Sequence, residues 1–522
     1  MLRRWTVPVA LALLACFTGG WLLQSRLRQS EVYRQARLFE EVLDRVRDYQ
    51  IDSVPESELY RKASDGLLRE LHDPYAALLI GKDWAALQER TSGDYAGVGL
   101  LVDARNGWIT VVTPLPDSPA DRAGIRAGDQ LMAVDGWSAA GWSMERAVRA
   151  MRGEPGTRVD MVFRREGSPT VSVRLNRERV HQRAVPPGMM LEHGVGYLSL
   201  TIVREHCAAE LEEEIARMVG QGMTSLVLDL RSNTGGVRDE AVQAADLFLD
   251  PGQEILASRG RAPGDNHHWT DHTRQRWPGL SIVVLANRGT ASAAEIIAGA
   301  LQDHDRALVV GDTTYGKGIV QSVFALAPDT ALRITTARWY TPSGRSIQAA
   351  SLDSAMGTRH APSPASAFRS DRGRVLYADG GIAPDVALAV DTLSAAEQSF
   401  ARALEGRAAV FRDALTGYAL QAKAAGTIRS EQFRIEGRMR GEVVERMRRQ
   451  GVVLPDSLVQ GADRLIDQQL GYEIARYLFG LTAERRRRLG DDDQVREAVA
   501  LLRATGSPEA LIGMAGRHPA DH

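Results

Sequence analysis

The chain has 522 residues, with 64 Lys and Arg against 66 Asp and Glu and a formal net charge of −2 at pH 7. The length allows several domains, and the balanced charge excludes the general pull toward nucleic acid or anionic surfaces that a basic chain would have. With only two cysteines, Cys16 and Cys207, a disulfide framework and a cysteine-rich zinc module are excluded.

Residues 1–27 hold Leu2-Arg3-Arg4, an apolar run from about Trp5 to Leu23, and then Gln24-Ser25-Arg26. A run of about 18 apolar residues is just long enough to span a bilayer. The positive flank precedes it, which places the following domains outside the cytoplasm. No small-x-small site followed by a polar stretch marks a cleavage point, so the expectation is an uncleaved signal anchor in the cell envelope, with the rest of the chain on the extracytoplasmic (periplasmic) side. Residues 28–92 are helical in pattern: Leu38, Val42, Leu43 and Val46 recur on one side. His72, in Leu71-His72-Asp73-Pro74-Tyr75, reads as a helix-end or packing histidine.

Residues 93–180 read as a compact β-rich module. Strands are expected at Leu100–Val102, Ile109–Val112, Asp129–Asp135, Val159–Arg164 and Val171–Leu175, with a capped short helix at Ser118–Ile125 and a helix at Met144–Met151. This order resembles a PDZ domain of the circularly permuted type found in bacterial proteases. The resemblance implies capture of an extended C-terminal peptide by strand addition, its carboxylate held on backbone N–H groups. Gly97-Val98-Gly99-Leu100 would be that cradle; the plainer reading of the same loop is a glycine turn between strands. Arg152 is a weaker candidate for coupling this module to the rest.

Residues 181–390 alternate strands and helices: strand 195–200, helix 207–219, strand 226–230, the loop Arg231-Ser232-Asn233-Thr234-Gly235-Gly236, and helix 240–248. Such alternation implies a mostly parallel sheet with crossover helices. In 281–321 an apolar strand, Ser281–Ala286, turns at Asn287-Arg288-Gly289. It leads through Ser292 into the small-residue helix Ala293–Leu301. A second apolar run, Ala307–Val310, ends in a loop holding Lys317 between Gly316 and Gly318. A serine hydroxyl needs an adjacent base to act as a nucleophile. A lysine serves as that base only when neutral, a form that burial favours. A helix start also offers free N–H groups to a developing oxyanion. The ordinary alternatives are Ser292 as an N-cap and Lys317 as a surface residue in a turn.

The pattern S-A-x-E after a strand, followed by G-D-x-x-Y-G-K-G-x-x-Q, resembles the carboxyl-terminal processing peptidases, the tail-specific serine proteases. The resemblance covers about residues 70–390. It implies Ser292 as nucleophile, Lys317 as base and Gln321 as the group that orients Lys317. It also implies an oxyanion hole from Ala293 and one of Gly235 and Gly236. Asp303 and Glu295 read as structural, and Asp229–Arg231 as an architectural ion pair. Thr234 stands where the family often has proline. The implied fold is an α/β core of the crotonase-like, ClpP-like kind.

Asp265-Asn266-His267-His268-Trp269-Thr270-Asp271-His272 clusters metal-capable side chains, but Pro263, Gly264 and Pro278 mark a solvated loop, and no metal site is expected. Residues 331–348 read as a strand and a Pro-Ser-Gly turn, and 350–367 as a loop or insertion. Residues 391–522 are helical and charged, with long helices at 405–422, 431–449 and 462–478. The basic run Arg485–Arg488 reads as a solvated helix face. The expected organisation is a signal anchor (1–27), a helical region (28–92), a PDZ domain (93–180), a protease core (181–390) and a helical extension (391–522). The expected function is a serine endopeptidase that takes protein or peptide substrates with apolar C-termini and needs no metal or organic cofactor. It would bind no nucleic acid and could self-associate. A crotonase-like acyl-CoA enzyme and a catalytically silent PDZ scaffold are the alternatives.

Overall fold

The computed structural model describes residues 31–165, 169–350, 368–377, 380–388 and 392–515. The expected anchor, 1–27, and nearly all of the loop 350–367 lie outside the described residues. The chain divides into two compact units.

The smaller unit holds a helix over 31–49, the helix Glu56–Glu70 and the strand Ala77–Ile80. The strand pairs antiparallel with residues 330–333. Asp73 organises the stretch Leu71-His72-Asp73-Pro74-Tyr75: one carboxylate oxygen accepts the Tyr75 N–H at 3.0 Å, closing the turn, and the other accepts the Thr335 N–H at 3.0 Å. His72 sits at this helix end in the left-handed region, as its position suggests. The strand Ala77–Ile80 was not expected in this helical stretch.

The larger unit is built on a six-stranded sheet. In chain order its elements are β1 (Met189–Met190), β2 (Val195–Ser199), helix α1 (Cys207–Gly220), β3 (Ser225–Asp229), α2 (Arg238–Asp246), β4 (Ser281–Ala286), α3 (Ala293–Asp303), β5 (Leu308–Gly311) and β6 (Val386–Ala387). The strands lie side by side in that order, and all pairs except β1–β2 are parallel. A parallel sheet is covered on both faces, so its strands are apolar throughout rather than alternating; every residue of β4 and β5 is buried. On one face α1, α2 and α3 pack on Leu198, Leu228, Val284 and Val309. On the other, Val227, Val283, Leu285 and Val310 lie beneath Leu489, Val495, Ala498, Leu501 and Leu511. The last helices of the extension therefore supply the second cover of the core sheet.

The module after residue 93 forms as expected. Five strands, Leu100–Arg105, Trp108–Pro114, Gln130–Val134, Arg158–Arg164 and Val171–Asn176, pair in that order. Ser118 caps the helix Pro119–Arg122, and Ser143 caps Met144–Met151. Ile109, Val111, Leu131, Met161 and Phe163 fill its own core. The chain enters and leaves the module through an antiparallel ribbon, Asp94–Gly97 with Glu178–His181. The extension also touches this module. Arg105, almost fully buried, donates to the Thr416 hydroxyl at 3.2 Å, and the Lys423 ammonium donates to the Ala127 carbonyl at 2.8 Å.

Two local expectations change. Residues 267–270 form a strand against Glu254–Gly260 rather than a loop. The run Arg485–Arg488 is not simply solvated. Arg485 donates to the Pro187 carbonyl at 3.0 Å, Arg486 pairs with Glu431, Arg487 lies over the Phe433 ring at 4.4 Å, and Arg488 bonds Glu484 at 2.8 Å.

Candidate active site

The loops that follow β3, β4 and β5 emerge from the carboxyl ends of parallel neighbours, where open α/β sheets place their sites. The loop after β3 is pinned by Asn233, which is fully buried. Its Nδ2 donates to the Leu200 carbonyl at 2.8 Å and its Oδ1 accepts the Gly235 N–H at 2.9 Å. The Ala291 N–H donates to the Asn233 carbonyl at 2.9 Å, which holds this loop against the approach to Ser292. Close packing dictates both glycines. A Cβ on Gly235 would stand 2.7 Å from the Ala293 nitrogen and 2.9 Å from the Ser292 Cβ, and one on Gly236 would stand 1.8 Å from the Val203 carbonyl oxygen. The N–H groups of Gly236 and Ala293 have no acceptor among the described residues, whereas that of Gly235 is committed to Asn233. Of the two glycines singled out in the sequence, Gly236 is therefore the one with an amide to offer.

Ser292 opens α3 with φ 55° and ψ −118°. A serine at positive φ is strained, and the strain is held by Glu295, one turn on. The Glu295 side chain is fully buried. Its Oε2 accepts the Ser292 N–H at 2.7 Å and the Lys317 N–H at 3.0 Å. Its Oε1 accepts the Thr314 hydroxyl at 2.5 Å and the Gly316 N–H at 2.7 Å. One oxygen thus joins the Ser292 and Lys317 backbones. Burial pushes the Glu295 carboxyl above the usual carboxylate range, while its four donors work in the opposite direction.

The Gly316-Lys317-Gly318 turn has every backbone polar group occupied. The Gly316 and Lys317 N–H groups go to Glu295, and the Gly318 N–H goes to the Gln348 Oε1 at 2.8 Å. The Gly316 carbonyl accepts from Ala349 at 2.9 Å, that of Lys317 from the Trp339 indole at 3.1 Å, and that of Gly318 from the Trp339 backbone at 2.9 Å. The Lys317 Nζ lies 3.0 Å from the Gln321 Oε1, and the residue is half-buried. Six hydrogen bonds thus fix the backbone from which the Lys317 side chain extends.

Around this centre, Asp303 at the end of α3 pairs with Arg345, both fully buried. Arg231 binds Asp229 at 2.6 Å and also reaches Asp492 at 2.8 Å, so the extension grips the β3 loop. Thr234 accepts from Arg90 at 2.9 Å. In the β-rich module, Val98, Gly99 and Leu100, with Leu115, Val148 and Met151, line a cavity of about 160 Å³. Gly99 has φ 76°, and a Cβ there would meet the Ser118 Cβ at 2.1 Å. Gly97 ends the ribbon strand that leads into this turn. Arg152, also at this cavity, lies over the Tyr95 ring at 4.9 Å and pairs with Glu89 at 2.6 Å. The metal-capable cluster disperses: the His267 Nε2 lies 2.5 Å from the Gly264 carbonyl, and His268 bonds Glu254.

Sequence reasoning gave Glu295 too small a part and passed over Asn233, Trp339 and Gln348. The Ser-x-x-Glu spacing already signals a capping box. Nothing local signals that its carboxylate also holds a turn some twenty residues on.

Residues 194–354 match the profile of peptidase family S41, and residues 110–165 match a PDZ domain. A carboxy-terminal-processing protease of Bartonella bacilliformis is 35% identical over 325 residues, which is 61% of this chain and 74% of that protein. A probable CtpA-like serine protease of Staphylococcus aureus is 33% identical over 289 residues, 55% of this chain and 58% of that protein. Among solved structures, the photosystem II D1 C-terminal processing protease is 27% identical and overlaps 66% of this chain and 86% of its own, with a TM-score of 0.37. Neither an acyl-CoA enzyme nor a silent scaffold is favoured by these matches. The chain belongs to peptidase family S41, and it is a carboxy-terminal-processing serine protease carrying a PDZ domain.

Proposed function

We propose that Ser292 is the nucleophile of this protease and Lys317 its general base. The observation that carries the reading is the Glu295 carboxylate, which joins the Ser292 and Lys317 backbones through one oxygen while Gln321 holds the lysine nitrogen. Lys317, as a free amine, takes the proton of the Ser292 hydroxyl as that oxygen attacks the scissile carbonyl. The oxyanion rests on the Gly236 and Ala293 N–H groups. The protonated lysine returns its proton to the leaving amine, and an acyl-enzyme forms. Water, deprotonated by the same lysine, then releases the acid and regenerates Ser292. No step draws on a metal or an organic cofactor.

The substrate is a protein chain with an apolar C-terminal residue, seated in the cavity beside Val98–Leu100 and fed to the core. Residues 1–27 support placing the enzyme at a membrane on its extracytoplasmic side. Among the described residues no helix is long and apolar enough to cross a bilayer. Self-association belongs to the same reading: Tyr33, Leu38, Phe39, Val42 and Tyr49 are exposed along the helix over 31–49.

The test is cleavage of an unstructured protein by the full chain in detergent. Ser292→Ala should abolish cleavage and leave binding of an apolar C-terminal peptide intact. Cleavage unchanged in that variant would refute the nucleophile assignment.

A further inference from the structure

We propose that Gln348 is a positioning residue for Lys317, and that it is a glutamine because the turn carrying the base must be closed without a second carboxylate. The proposal rests on the reading of Lys317 as the base.

Gln348 is 9% exposed. Its Oε1 accepts the Gly318 N–H at 2.8 Å. Its own backbone is packed so closely on the turn that a Cβ added to Gly318 would stand 2.9 Å from the Gln348 nitrogen. The next residue, Ala349, donates to the Gly316 carbonyl at 2.9 Å. One short segment therefore grips both glycines that flank Lys317. That segment is itself anchored by Arg345, which is fully buried and reaches Asp303 and, at 2.9 Å, the Gln302 Oε1. Asp303 is the last residue of α3, the helix that Ser292 begins. Nucleophile and lysine clamp are thus tied to opposite ends of one helix.

The amide can point only one way, because the Gly318 N–H needs an oxygen. That orientation leaves the Gln348 Nε2 buried with no acceptor among the described residues. An unpaired buried donor is unfavourable and calls for a reason. A glutamate of the same length would accept from Gly318 and leave no donor unpaired. What glutamine has instead is neutrality. The other side of the turn already rests on the Glu295 carboxylate. A further carboxylate would favour the ammonium form of lysine, which cannot take a proton.

The experiment measures kcat and KM for an unstructured protein from about pH 5 to about pH 10, on full-length Gln348→Met and Gln348→Glu, with urea stability recorded for both. Gln348→Met fills the space but offers the Gly318 N–H no acceptor. Its kcat should fall about 10- to 100-fold with KM unchanged. Gln348→Glu restores the acceptor: kcat should recover at high pH, with the acid limb of kcat/KM displaced upward by about one pH unit. Gln348→Met within twofold of the parent kcat would overturn the proposal. So would Gln348→Glu with the parent pH profile, or both variants equally inactive at every pH. Full activity in Lys317→Ala would instead overturn the base assignment. An inactive Lys317→Ala beside unaltered Gln348 variants would overturn the positioning role alone.

Discussion

Glu295→Gln is the sharpest perturbation of this active site, because it changes one atom and almost no volume. Both carboxylate oxygens of Glu295 accept two hydrogen bonds each, from the Ser292 and Lys317 amides on one side and from Thr314 and the Gly316 amide on the other. An amide side chain must turn its NH2 toward one of these pairs. If it faces Ser292 and Lys317, two buried N–H donors lose their acceptor and meet a third donor. If it faces Thr314 and Gly316, the hydroxyl can rotate away but the Gly316 amide cannot. Each buried donor left unsatisfied costs about 1–3 kcal/mol, so the variant should lose about 2–5 kcal/mol of stability. Either orientation releases part of the turn that carries Lys317, its own amide or that of Gly316, and a displacement of about 1 Å there should lower kcat about 100-fold. The assay is kcat on an unstructured protein together with urea unfolding of the same preparation. Glu295→Gln with kcat within threefold of the parent and an unchanged unfolding midpoint would refute the hub.

Gly236→Ala should cost more than about 100-fold in kcat, because the new Cβ would sit 1.8 Å from a backbone oxygen at Val203 and the displaced amide would no longer reach the oxyanion; activity within tenfold would contradict this. His181 stands at the foot of the ribbon into the PDZ module and bonds Asp94 at 2.7 Å and Glu210 on α1 at 2.8 Å. Burial opposes its charge, but the two carboxylates outweigh burial and hold its pKa above the ordinary histidine value. The stabilisation is therefore complete below about 6.5 and is lost as pH rises through the raised value. Amide exchange of the ribbon should quicken across that range in the parent and show no pH step in His181→Ala; the same step in both would remove His181 from the account. Asp271 is fully buried, and burial followed by neighbouring Asp246 pushes it up to about 7. A raised carboxyl favours the fold at low pH and loses that contribution as pH rises through about 7. Asp271→Asn should thus gain about 2–4 kcal/mol in urea unfolding at about pH 8 and almost nothing at about pH 4; equal effects at both would contradict the assignment.

Much of this molecule is legible in the chain because the forces that shape it are local. β4 is six buried residues in a row, and the small-residue helix after Ser292 follows from its own periodicity. Met144–Met151 starts at a serine cap and forms as read. The Gly-Lys-Gly turn is equally plain, since glycine is demanded by a backbone approach: a Cβ on Gly316 would stand 2.3 Å from the Gly380 carbonyl oxygen. The run Arg485–Arg488 misleads for the opposite reason. Four arginines in sequence suggest solvent, and Arg486 and Arg488 do stay exposed, yet Arg485, Arg486 and Arg487 meet a carbonyl, a carboxylate and a ring from remote segments. Residues 267–270 mislead in the same way: a Pro- and Gly-flanked polar stretch becomes a strand because Glu254–Gly260 offers an edge.

By itself the sequence determined the alternation of strands and helices, the PDZ module, and the two short motifs that carry Ser292 and Lys317. Hydrophobic period, caps and glycine turns are written within a few residues and survive any packing. Only the tertiary structure decided that Gly236 rather than Gly235 keeps a free amide, because Asn233 takes the other. It alone joined serine to lysine through Glu295, closed the lysine turn with Trp339 and Gln348, and laid the extension over the open face of the sheet. Each of these depends on which buried donor meets which acceptor across a long stretch of chain. A buried polar group must find a partner, but nothing in its own neighbourhood says where in the chain that partner lies.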